Sequence, residues 1–116
     1  MSNNEILTIR LGYRKAGETR VGWVPNMTDD EIWAAGSAWW VLKASRAVEC
    51  ETLLILDPEC VVIAVADVLG VRKEFKDASR FEILGDRHED HEYLGKVVAR
   101  GKSQNPVAYV TPDQIA

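Results

Sequence analysis

Apolar and polar positions alternate near the start of this chain and merge into near-continuous apolar runs in its middle. Residues 5–13 alternate: Ile6, Thr8 and Arg10 point one way, Leu7, Ile9, Leu11 and Tyr13 the other, which predicts a half-buried strand. Ala16, Gly17 and Glu18 make a turn and residues 19–24 a second strand. The two are expected to form a hairpin, ended by Pro25 because proline cannot donate to a ladder. Thr28-Asp29-Asp30-Glu31 is a capping box, with Met27 and Ile32 at the staple positions and two aspartates suited to the positive end of a helix dipole. The spacing predicts a helix from Asp29 that carries Ile32, Trp33 and Ala35 and is stopped by Gly36. Residues 39–42 read as a short strand, and residues 45–50 as one helical turn capped by Ser45.

Residues 52–56 and 60–69 are the apolar runs, joined by Asp57-Pro58-Glu59-Cys60, a type I turn with proline in its second place. Runs without alternation need cover on both faces. This hairpin is therefore predicted as the centre of the fold, with Leu54, Leu56, Val62, Ala64 and Val68 almost fully buried. Gly70 allows a bulge before the strand continues over residues 71–75; residues 76–79 are a loop and residues 80–84 another strand. A second capping box, Asp86-Arg87-His88-Glu89, predicts a helix with Tyr93, Leu94, Val97 and Val98 on one side. Gly95 weakens it or permits close packing, and Gly101 follows its end with Arg100 beside the last carbonyls. Residues 103–106 form a loop and residues 107–110 the last strand. No repeat or linker interrupts the pattern, so residues 1–116 are read as a single domain. The expected fold class is α+β: a curved, mostly antiparallel sheet or partly closed barrel with two covering helices.

Composition narrows the function classes. Apolar residues make up 47% of the chain, enough for a core without metal or disulfide staples. The net charge of −4 argues against nonspecific grip on nucleic acid, while leaving room for a local basic strip. Cys50 and Cys60 are too few for a disulfide scaffold and suit a reducing cytosol, although a bridge closing the short loop between them stays open. The longest apolar stretch is broken by Asp67, and the first five residues lack the basic and apolar regions of a signal peptide. A cytoplasmic location without membrane contact is expected.

Three features carry candidate chemistry. His88 and His91 would share one face of the predicted helix and, with Asp86 or Glu92, could ligate a divalent metal. The plain alternative is a solvated first turn. Four tryptophans, Trp23, Trp33, Trp39 and Trp40, offer flat surfaces for a base, or serve simply as core. The basic residues Arg72, Lys73, Lys76 and Arg80, and again Arg87, Lys96, Arg100 and Lys102, could meet phosphate or be ordinary surface charge. No Ser/His/Asp order, phosphate loop or dinucleotide fingerprint is present in the chain.

In order along the chain stand Trp39-Trp40-Val41-Leu42, Ser45-Arg46-Ala47, the apolar residues 61–65, Arg80-Phe81 with Gly85, Tyr93-Leu94-Gly95-Lys96 and Asn105-Pro106-Val107-Ala108-Tyr109. This series resembles a small bacterial domain found alone or beside GIY-YIG-type nuclease domains, and more distantly the PUA-like barrels that read modified bases. The resemblance implies a non-enzymatic binding module that receives a base, nucleotide or nucleic-acid end in a tryptophan-lined pocket. Trp39 or Trp40 would form the wall beside the loop of residues 102–106, with Arg80, Lys96, Arg100 and Asn105 as polar contacts and no cofactor. A protein-interaction or regulatory factor, phage or host-defence related, is the first alternative. A metal-dependent hydrolase using His88 and His91 is the second.

Overall fold

The structure is a computed structural model that describes residues 4–13, 22–76, 80–100 and 105–116. Six strands form one curved, nearly closed sheet: β1 (Ile6–Arg10), β2 (Trp40–Val41), β3 (Thr52–Leu56), β4 (Val62–Lys73), β5 (Arg80–His88) and β6 (Val107–Val110), in the spatial order β2-β5-β4-β3-β1-β6. Every pairing is antiparallel except β1 with β3. Helices α1 (Asp29–Ser37) and α2 (Ala44–Ala47) accompany the sheet, and a 3₁₀ turn, Pro112–Gln114, follows β6. The fold is α+β with a partly closed curved sheet, as the sequence pattern predicts. Among the described residues no helix is long and apolar enough to cross a membrane.

The central strands have two cores because they are covered on both faces. Leu7, Ile9, Leu53 and Ile55 join Ile32 and Ala35 of α1 and Ala47 of α2 in one cluster. Ile6, Leu54 and Leu56 join Val62, Val65, Val98 and Val110 in the other. β1 is thus buried on both sides, where its alternation predicted a half-buried strand. Its one buried polar side chain is accommodated, since the Thr8 hydroxyl donates to the Ala108 carbonyl at 2.8 Å. Both edges of β1 are occupied, by β3 and β6, so a hairpin partner has no edge to pair with at Ile6–Arg10. The expected turn at residues 16–18 lies outside the described residues. Beyond β1, Tyr13 and Trp23 meet in a parallel bridge and their rings in an edge contact.

The first capping box forms as expected: the Thr28 hydroxyl accepts from the Glu31 amide at 3.2 Å, and the Glu31 carboxylate from the Thr28 amide at 3.0 Å. Gly36 does not stop α1. It lies inside the helix, and an added Cβ there would stand 2.5 Å from the Ile55 Cδ1, so the glycine is a packing residue. Ser45 does not cap α2 either. Lys43 holds that position without a side-chain bond, and Ser45 lies within the helix.

In the turn after β3, Asp57 Oδ1 accepts from the amides of Glu59 and Val61, while Cys60 takes a left-handed φ of 67°. Leu54, Leu56 and Val62 are buried as predicted, but Ala64 and Val68 are only half-buried. Val68 adjoins the register shift before Gly70 that pushes Leu69 outward, and Ala64 borders a cleft.

The largest departure is at residues 86–100. No helix forms; β5 runs on through Asp86, Arg87 and His88, which face Asp67, Ala66 and Val65 of β4. A capping box is worth about 1 kcal/mol, less than closing several rungs of a ladder along a buried strand. Gly95 then takes φ +84°, incompatible with continuing a right-handed helix. Residues 96–99 run extended between the Cys60 turn and the C-terminal residues: Val98 donates to the Cys60 carbonyl, and Ala99 to that of Gln114.

Candidate functional site

The tryptophan-and-arginine candidates stand at the β2 end of the strand order, Arg100 and Asn105 beside β6 at the other, and Lys96 beside the start of β4. Trp40 is 5% exposed, pairs with Phe81 across β2 and β5, and donates its indole N–H to the Gly36 carbonyl at 2.9 Å. Its ring belongs to the core. Trp39, its neighbour, is half-buried. The Arg72 guanidinium lies 5.6 Å from the Trp39 ring centroid, and Arg80 donates to the Trp39 carbonyl at 3.4 Å. Arg72 also pairs with Glu82, its partner in register.

At the other end, Arg100 Nη2 donates to the Asn105 carbonyl, and the Asn105 side chain accepts from the Val107 amide at 3.0 Å. The adjacent Pro106 carbonyl accepts from the Arg10 amide at 2.9 Å. Arg10, which sequence reasoning passed over as an ordinary strand residue, therefore belongs to this corner. Burial lowers the pKa of Arg100 from its usual value, with the Arg10 charge adding to the effect and Cys60 opposing it. Lys96 is exposed, and its carbonyl accepts from the Val62 amide. Lys96 and Arg100 were expected on adjacent turns of a helix. On the extended chain four residues span roughly 13 Å, so the two do not act as a pair. Lys102 and residues 103 and 104 of the loop expected beside the tryptophans lie outside the described residues.

The two histidines do come together, on a different scaffold from the one predicted. His88 ends β5 and His91 follows it in an irregular turn, their rings 5.3 Å apart in an edge contact. His88 Nε2 lies 2.9 Å from Asp67 Oδ1, and His91 Nδ1 accepts from the Tyr93 amide at 3.1 Å. Those contacts engage one nitrogen of each ring. No group of three or more ligating side chains occurs among the described residues.

A cleft of about 300 Å³ opens where the start of α1 meets the ends of β4 and β5, floored by Ile63, Ala64, Val65 and Leu94. Arg87 crosses it, pairing with Asp30 at 2.9 Å and lying 5.9 Å from the Trp33 ring centroid. Its one sequence signal was the helix-capping aspartates, because the opposite wall was expected to be helical. A shallower depression, of about 290 Å³, is lined by Glu5, Lys43, Ser45, Arg46 and Glu49. There Arg46 pairs with Glu5 and lies 4.0 Å from the Tyr109 ring centroid. The hydrogen bond from Arg46 holds the Glu5 carboxyl below its usual range. A carboxylate whose pKa falls on folding contributes stability above that range and loses it on acidification. In urea titrations, wild type is expected to exceed Arg46→Gln at pH 7, and the gap to narrow as acid protonates the Glu5 carboxylate. A pH-independent gap would assign the difference to packing on Tyr109.

Comparison with protein-family models, with curated proteins and with solved structures finds no match to this chain.

Proposed function

We propose that this chain is a non-enzymatic interaction module that docks a protein partner on the outer face of the β2–β5–β4 end of its sheet. The observation that carries the reading is the number of large apolar side chains left in solvent along these three strands and the end of β4. Phe75, beyond the end of β4, is fully exposed; Leu69 is 72% exposed, Val41 58% and Leu84 43%. Leu84 faces Gly70 in the β4–β5 ladder, beside the bulged Leu69, while Val41 faces Arg80 across β2 and β5. Single exposed apolar residues are ordinary; several on one short stretch of sheet mark a contact surface. The Arg72–Glu82 pair between them supplies a polar element of the kind that gives such surfaces specificity.

The test is affinity capture with the purified chain from its native lysate, followed by titration of the captured partner. Wild type should bind the partner at least tenfold more tightly than Leu69→Ser/Phe75→Ser, both exposed sites where substitution leaves stability within about 0.5 kcal/mol. Equal affinity of the two proteins would remove this surface from the function.

Recognition of a base or nucleotide is the second reading, favoured by the half-buried Trp39, whose ring lies near the Arg72 guanidinium and whose carbonyl accepts from Arg80. Stacking on one aromatic is worth about 1–3 kcal/mol per base. Intrinsic fluorescence should then be quenched by nucleotides or short oligonucleotides, and Trp39→Ala should abolish the response. A folded protein silent across single-stranded, double-stranded and modified probes would exclude it.

A further inference from the structure

We infer that the corner formed by Arg10, Arg100 and the Asn105–Pro106 peptide binds a phosphoryl group, a compact oxyanion of tetrahedral shape. Arg100 is the only side chain among the described residues with two buried nitrogen donors, Nε and Nη1, that lack an acceptor. Its third nitrogen, Nη2, has only a neutral carbonyl, that of Asn105. A guanidinium removed from water is normally held by a carboxylate or a phosphate, because a carbonyl supplies hydrogen bonding without neutralising the charge.

Here the neighbouring charges point the other way. Arg10 is tied through its amide to Pro106, the residue after the one Arg100 grips, and its positive charge opposes that of Arg100. No salt bridge to Arg10 or Arg100 occurs among the described residues. Two cations anchored to adjacent residues, Asn105 and Pro106, with two donor nitrogens unspent, leave a deficit of negative charge and of acceptors at the same place. A phosphoryl group supplies both, its charge answering the two cations while its oxygens accept from one edge of the Arg100 fork.

The surrounding acidity sharpens this. With a net charge of −4 the protein repels extended polyanions, so a local positive corner selects one compact charged group over a run of backbone phosphates. The site shares no residue with the exposed apolar positions, so loss of protein docking there and loss of anion binding are separable results.

The experiment is thermal unfolding with isothermal titration at constant ionic strength, using inorganic phosphate, a nucleoside 5′-monophosphate and the matching nucleoside, with chloride as reference. Phosphate and the 5′-monophosphate should raise the melting temperature and bind with measurable heat; the nucleoside should do neither. The tighter of the two anions names the source of the phosphoryl group. Arg100→Met is the deciding variant, because it keeps the stem and removes the unpaired charge. The unliganded Arg100→Met protein should be at least as stable as wild type, and its phosphate affinity at least tenfold weaker. Arg10→Gln should weaken phosphate severalfold and leave the fold intact. Equal response to phosphate and chloride in wild type, or Arg100→Met binding phosphate as wild type does, would overturn the assignment.

Discussion

Replacing Leu54 by alanine is expected to cost about 2–5 kcal/mol. The side chain is fully buried in the middle of β3, between Thr8 of β1 and Val65 of β4 in the ladder. It packs in the cluster that holds Ile6, Leu56, Val62, Val98 and Val110. Those residues come from five separate stretches of chain. Collapse around the missing atoms would have to move several hydrogen-bonded strands together, so most of the cavity should persist. Urea unfolding monitored by tryptophan fluorescence would measure the loss, with Val41→Ala, 58% exposed, as a comparison expected within about 0.5 kcal/mol of wild type. A Leu54→Ala cost below 1 kcal/mol would mean that β3 is not sandwiched between two apolar layers.

The second large effect is expected at Gly85. A Cβ on this residue of β5 would stand 2.8 Å from Cη2 of Trp33 and 2.9 Å from the Asp67 carbonyl oxygen, with the Ala66 Cβ at 3.3 Å. The indole could yield by rotating, but the carbonyl belongs to the neighbouring strand and moves only with the ladder. Gly85→Val should therefore cost about 3 kcal/mol, the upper end of ordinary overpacking. It should also disturb the indole on which Arg87 rests, and with it the wall of the cleft beside α1. Gly85→Ala combined with Trp33→Leu separates the two contacts. If the indole is the main obstacle, the double variant recovers most of the loss; if the Asp67 carbonyl is, it does not. Wild-type stability in Gly85→Val would contradict the close approach of Trp33.

Local chemistry made much of the architecture legible. The Thr28–Glu31 box, the Asp57 turn and the apolar run of β3 each specify their conformation through neighbours in sequence, and each forms where expected. Elements decided by distant partners were not legible. Asp86-Arg87-His88-Glu89 carries the same capping signal as Thr28–Glu31, yet β4 needs a second edge partner and takes those residues into β5. Alternation in β1 suggested one wet face because nothing in residues 5–13 reports the arrival of Val98 or Val110 on the other side. Gly36 reads as a helix stop unless Ile55 is known to lie against it. The same holds at the candidate site. Asn105 was legible as a polar candidate, but its companion Arg10 lies in a different strand, and only the β1–β6 pairing brings them together.

That pairing has a consequence for how the molecule assembles. β3, β4 and β5 follow one another in the chain and can zip as a meander from near neighbours. β1 cannot: Leu7 meets Leu53 on one side and Tyr109 on the other, so its slot closes only after two long chain loops are brought in. Contacts of such high sequence separation slow folding, because the loop entropy is lost before the contacts form. Until the slot fills, β3 and β6 each present an unpaired strand edge carrying apolar residues, of which Leu53, Leu54, Ile55, Leu56, Val107 and Val110 are buried in the finished fold. Those open edges match the β1 of another copy as well as their own, which makes strand exchange at this slot the natural route to a swapped dimer at high concentration.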